Sequence, residues 1–178
     1  FAVNYLGAFL LTQQLRAHLV ASGPARIVCV SGDYHRKAHL DFDDLQLERR
    51  FHPLRAAARA TLAKATFSSE MARRLVGTEV TCNALHPGAV RSELTRDLPL
   101  PLRVLAALGR PFMRSIERGA ETPVFLASSP SVAGVSGKYF VDCRAVPASA
   151  AAVDPANGAA LWARSEALVA ASAQSSKQ

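Results

Sequence analysis

Apolar and polar positions along the chain switch between a helical period and strand-like runs. Phe1 to Val20 (FAVNYLGAFLLTQQLRAHLV) is apolar on nearly every face at its start, with Gln13, Gln14 and Arg16 arriving later. That pattern predicts a helix buried on both sides. Gly23-Pro24 ends it. Arg26 to Ser31 (RIVCVS) is a β-branched run suited to a strand covered on both faces. Gly32 to Phe51 is a polar surface excursion anchored by Leu40, Phe42, Leu45 and Leu47. Leu54 to Leu75 has helical spacing, with Arg73 and Arg74 in its last turn and Gly77 beyond, the marks of a helix C-terminus. Val80, Cys82, Ala84 and Leu85 form a second strand-type run that His86-Pro87-Gly88 stops. Proline has no N–H for a ladder, and glycine permits the sharp backbone angles of a bend.

Leu98 to Met113 is proline-rich and apolar. It predicts a flap over a pocket, since a membrane-lying helix would carry a continuous basic face. Ser115 and Glu117 predict a capped helix running through Leu126. Gly137 to Asp142 reads as a third strand, and Ala145 to Pro155 as a loop. Asn157 is placed as the cap of a last helix carrying Leu161, Trp162, Leu168 and Val169 on one side, with a frayed tail over 172–178. Helix, strand, helix, strand, helix, strand, helix predicts one α/β domain over 1–171 with a parallel sheet. Ligands of such sheets sit beyond the carboxyl ends of the strands, where Pro87-Gly88 falls.

Composition narrows the function classes. The net charge is +7, but Arg16, Arg36, Arg59, Arg96 and Arg164 are scattered and no aromatics interleave with a basic run, so no nucleic-acid partner is expected. Cys29, Cys82 and Cys143 have no disulfide or metal-type spacing, and two lie inside apolar strands. A reducing, cytoplasmic setting follows. The longest apolar run, within Phe1 to Leu11, is broken by Asn4 and Gly7 and is too short to span a bilayer. A start on Phe1, inside a helical pattern, predicts a chain cut from something longer.

The stretches FAVNYLGAFLLT, PARIVCVS, LDFDDLQLERR, EMARRLVGTEVTCNALHPGAVRSEL, GAETPVFLASSP, GVSGKYFVDC and ALWARSEAL occur in one order along the chain. In that order they resemble the short-chain dehydrogenase/reductase family, above all its retinol-dehydrogenase-like branch. The resemblance implies a Rossmann-like, doubly wound parallel sheet. It is incomplete, because the family's first, nucleotide-binding half has no counterpart and no G-x-x-x-G-x-G or G-x-G-x-x-G occurs. It implies hydride transfer between NADP or NAD and an alcohol or carbonyl of an apolar small molecule, with cofactor binding in doubt without that half.

The resemblance also assigns residues. The family's helix asparagine falls on Asn4, which is kept. Its carbonyl-polarising serine falls on Gly32, its proton-transferring tyrosine on Ala57, and the lysine that lowers the tyrosine's pKa on Thr61. Four residues apart on a helix puts such a pair on one face. Tyr5, Tyr34 and Tyr139 are the only tyrosines, and none has a lysine four residues later. Pro87, Gly88, Val90 and Ser92 match the loop that meets the nicotinamide amide. One positioned proton-transfer group contributes roughly 10²–10⁴ in rate, so a truncated, catalytically impaired relative is expected. The alternative is a non-catalytic interaction module, a homodimer through the helices at 1–20 and 54–75. A serine hydrolase using Ser31 and His86 lacks the G-x-S-x-G elbow.

Overall fold

The computed structural model describes residues 1–91, 103 and 107–175. The two apolar runs and the GKYFVD segment form strands β1 (Ala25–Val30), β2 (Val80–His86) and β3 (Tyr139–Val141), all parallel, in the order β1-β2-β3. β2 lies in the middle and is buried along nearly its whole length. Its side chains alternate: Cys82 and Ala84 face one layer, Leu85 the other. A further strand, β4 (Arg144–Val146), pairs antiparallel with β3. It corrects the loop expected from Ala145. Asp142 and Cys143 both have positive φ, 50° and 58°, which makes a two-residue hairpin turn whose twist suits the strands it joins. The usual glycine signal for such a turn is absent, so sequence pattern alone passes over it.

Helices cover both faces of the sheet. α1 (Gly7–Ala21) follows a π-helical turn over Ala2–Leu6, α2 (Pro53–Arg74) starts on a proline at its first position, and α3 (Ile116–Ser128) is capped by Ser115, which accepts from the Arg118 N–H. α2 packs over Ala84 and Tyr139, while α3 brings Leu126 against Leu85 and Phe140 on the opposite face. A short α4 (Ala150–Val153) leads into α5 (Pro155–Ser175). α5 begins two residues before Asn157, because the Asp154 carboxylate takes the Ala156 N–H at 2.9 Å and Pro155 suits the first turn. Asn157 instead donates back to the Ala151 carbonyl. The helix also runs past Ser172, where fraying was expected.

The N-terminal helix departs from its expectation. Tyr5 and Phe9 are its buried residues, while Val3 is 92% exposed and Leu11 58%. One side meets α2 and α5; the other has no cover among the described residues. On α2, Ala60, Ala63 and Ala65 are buried within this chain, while Ala57 is exposed.

The core's largest cluster forms where α5 crosses α1 and α2. Trp162 meets Phe9 edge-on at 5.2 Å and stacks on Phe67 at 6.0 Å. The Arg74 guanidinium lies 3.9 Å above its ring, and its Nε1 donates to Glu166 at 2.8 Å. Trp162→Ala should therefore cost about 3–5 kcal/mol of unfolding free energy, read from the urea midpoint at unchanged m-value. A loss under 1 kcal/mol would mean that α5 is not docked as described.

Candidate active site

The carboxyl ends of β1 and β2 bring together two positions far apart in sequence. Gly32 follows β1 in a buried, extended stretch, and a Cβ built on it would lie 3.2 Å from Thr61 Cγ2. Positions 32 and 61 therefore adjoin, and they present a glycine and a methyl group. The hydroxyls nearby are already committed. Ser31 Oγ donates to the Thr61 carbonyl at 2.7 Å, and Thr61 Oγ1 donates to the Ala58 carbonyl at 2.7 Å. Ser31 thus stands just beyond the strand but points into α2. Ala57, one turn earlier, is exposed and has no polar side-chain atom. Asn4 sits exposed on the π-helical turn, and its side chain makes no hydrogen bond among the described residues.

After β2 the chain bends at Pro87-Gly88, with Gly88 at φ 86°, a value only glycine adopts freely. Val90 pairs with Arg114 in a single bridge, and its side chain fills the space where a Cβ on Gly119 would come within 2.5 Å of it. Ser92, and residues 98–102 and 104–106 of the flap expected over Leu98–Met113, lie outside the described residues.

The titratable groups here do not form an acid and its cation. Tyr139 neighbours Ser31, but it is 3% exposed and its hydroxyl has no partner in hydrogen-bond geometry. Burial pushes its pKa up to about 12, against a small opposing pull from the neighbouring Ser31 hydroxyl. The only lysine on α2, Lys64, has its pKa lowered by burial, and its electrostatic neighbour is the Cys29 thiol. Tyr5 is sealed in the core with its hydroxyl on Ser165, and Tyr34 is 65% exposed on a short 3₁₀ turn with Lys37. His86 is half-buried, its pKa is lowered first by burial, and its Nδ1 has no hydrogen-bond partner. Among the described residues no cluster of three His, Cys, Asp or Glu could hold a metal ion.

His35 is the site residue that sequence reading passed over. It is fully buried, its ring lies 4.5 Å from that of Tyr139, and its Nδ1 is 2.9 Å from the Gly32 carbonyl. A carbonyl can only accept, so Nδ1 carries the proton. Nε2 is then the acceptor for the Ser149 N–H at 3.2 Å, and the imidazole is neutral. Its pKa is lowered by burial, with the Gly32 carbonyl working the other way and the charges of Arg36, Asp33 and His86 adding smaller effects.

Parallel strands layered between helices, with a turn at their carboxyl ends, define part of a Rossmann-like α/β fold. Over nearly its whole length the chain is similar in sequence and fold to proteins of the short-chain dehydrogenase/reductase family, retinol dehydrogenases among them. It is 42% identical to human retinol dehydrogenase 14 across 95% of this chain and 51% of that protein. It is 39% identical to human retinol dehydrogenase 13 across 100% of this chain and 56% of that one. Among solved structures, an uncharacterized protein from Mycobacterium paratuberculosis superposes with a TM-score of 0.66 at 26% identity, covering 93% of this chain and 56% of that one. A protein described as an NAD(P)-dependent gluconate 5-dehydrogenase from Beutenbergia cavernae, with NADP bound at low occupancy, gives a TM-score of 0.56 at 25% identity over 79% of this chain and 53% of that one. No protein-family model matches the chain. The chain spans about half the length of the curated relatives it matches.

The neutral His35 makes stability depend on pH. Its folded pKa is lowered, so the unfolded chain takes the proton first as pH falls. Its contribution is complete above the ordinary histidine value of 6.5 and declines below it until the folded form also protonates. His86 acts with the same sign. The urea midpoint should fall between pH 7 and pH 5, and His35→Asn should flatten that slope. An equal slope in the variant would refute the neutral assignment.

Proposed function

We propose that the chain derives from a nicotinamide-dependent oxidoreductase acting on hydroxyl or carbonyl groups of apolar molecules, and that it keeps the nicotinamide-facing loop without the proton-transfer machinery. The observation that carries this reading is the pairing of Thr61 with Gly32 at the strand ends, with Ala57 one turn away. These are the positions of the family's cation, polarising serine and acid, and none of the three can perform that role. Tyr139 offers no replacement, since a buried phenol whose pKa is raised to about 12 gives up its proton less readily than a free one. Groups that act as a unit fail together, so their losses do not simply multiply. An NADP preference and an apolar aldehyde or alcohol substrate are taken from the retinol dehydrogenases it resembles.

The test is NADPH oxidation in the presence of all-trans-retinal by the intact chain. No rate above background is expected, and measurable turnover that depends on this protein would overturn the inactive reading.

A second reading, an interaction module, is favoured by the uncovered side of α1, where Leu11 and Leu15 stand one turn apart and exposed. Light scattering on the purified chain separates the readings. A dimer that Leu15→Glu converts to monomer supports the module; a monomer at all concentrations rejects it.

A further inference from the structure

Arg114 joins three pieces of backbone at the carboxyl end of the sheet. Its N–H donates to the Ala89 carbonyl at 2.8 Å, and its own carbonyl accepts from the Arg91 N–H at 3.0 Å. These bonds fasten the bend after β2 to the entrance of α3. The side chain then crosses Gly88. A Cβ on that glycine would lie 2.6 Å from both Cδ and Nε of Arg114 and 2.9 Å from Cζ, so the arginine rests on a bare α-carbon. Beyond Gly88 the guanidinium fork meets both carboxylate oxygens of Asp142, Nη2 to Oδ2 at 3.0 Å and Nη1 to Oδ1. Asp142 occupies the first turn position of the β3–β4 hairpin, and the adjacent Cys143 N–H is tied to Thr122 Oγ1 of α3 at 3.2 Å. The Arg114 guanidinium holds the Asp142 carboxyl below the usual carboxylate range.

We infer that Arg114 and Asp142 are positioning residues for the Pro87–Val90 loop, holding its bend in one shape before any nicotinamide group arrives. The inference rests on the reading of that loop given under Proposed function. A lone exposed ion pair would not suffice, because such pairs contribute little. This one is a two-pronged arginine–carboxylate contact, continuous with two backbone hydrogen bonds and a close packing contact, so the side chain works as a strut. A loop that spends only a fraction of its time in the binding shape binds with its dissociation constant raised by the inverse of that fraction.

The experiment compares the intact chain with Arg114→Ala and Asp142→Asn by amide hydrogen exchange and by calorimetric titration with NADPH. Exchange at the Arg91 amide should quicken on the order of tenfold in both variants while β2 amides keep their protection, and the NADPH dissociation constant should rise by the same factor. Arg114→Lys, which keeps the charge but loses the fork, should fall between. Unchanged exchange at Arg91 overturns the inference, and so does faster exchange with unaltered NADPH affinity. If Arg114→Ala also loses protection in β2 it is a folding defect, and Asp142→Asn decides. If the intact chain binds no NADPH, the loop reading is the part that fails. Exchange at Arg91 then decides alone whether the pair sets the bend.

Discussion

Close contact between α2 and β2 fixes the layout of the rest. Small residues on the inner side of the helix, Ala60, Ala63 and Ala65, let it approach the sheet, and Ser68 Oγ comes within 3.5 Å of Cys82 Sγ. From that contact the helix climbs from Ser68 back to Thr61, seven residues or about 10 Å. The strand advances from Cys82 to Leu85 over about the same distance. Thr61 must therefore lie over the strand end, where the Leu85 carbonyl accepts from Ser31 N and Ser31 Oγ donates to Thr61. The meeting of positions 32 and 61 is a consequence of helix rise and strand rise, whatever side chains they carry.

The titratable groups around this meeting point are not arranged as an acid beside a cation. A phenol becomes a useful acid at neutral pH when a nearby cation stabilises its anion. Tyr139 has the reverse environment: it is enclosed by the β2–β3 layer and the His35 ring, and Lys64 is turned toward Cys29. Its hydroxyl is buried and has no hydrogen-bond partner. His35 reinforces this, because a neutral ring locked between Gly32 and Ser149 brings no positive charge to the phenol.

The parts legible in the sequence are those set by local pattern. β2 reads as a strand because it is buried on both faces and stopped by Pro87-Gly88, and α2 reads as a helix from its spacing, its basic end and Gly77. The misses have both local and long-range causes. Asn157 looked like a cap, but Asp154 three residues earlier had the free carboxylate. The first helix looked buried because its residues are apolar, and whether an apolar face is covered depends on its neighbours. β4 is three residues long and follows a turn without glycine. Arg114 and Asp142 are 28 residues apart, and neither residue's own neighbours hint at the contact. The replaced positions were legible only through the resemblance, since alanine and threonine in a helix attract no notice.

The two sides of the site are held by different constraints. On the β2–β3 side, packing restricts the residues directly. A side chain at Gly88 would strike Arg114, and one at Gly119 would strike Val90, so the bend keeps its glycines for steric reasons even with nothing bound. On the β1 side the restriction is weaker at the outer positions, although a side chain at Gly32 would press on Thr61. Ala57 and Asn4 are exposed, and β1 is the sheet's outer strand with Val30 45% exposed. A tyrosine or an alanine at 57 would leave the core equally intact. Form at the bend therefore says little by itself about chemistry, whereas an exposed position such as 57 is under no packing demand from this chain's core.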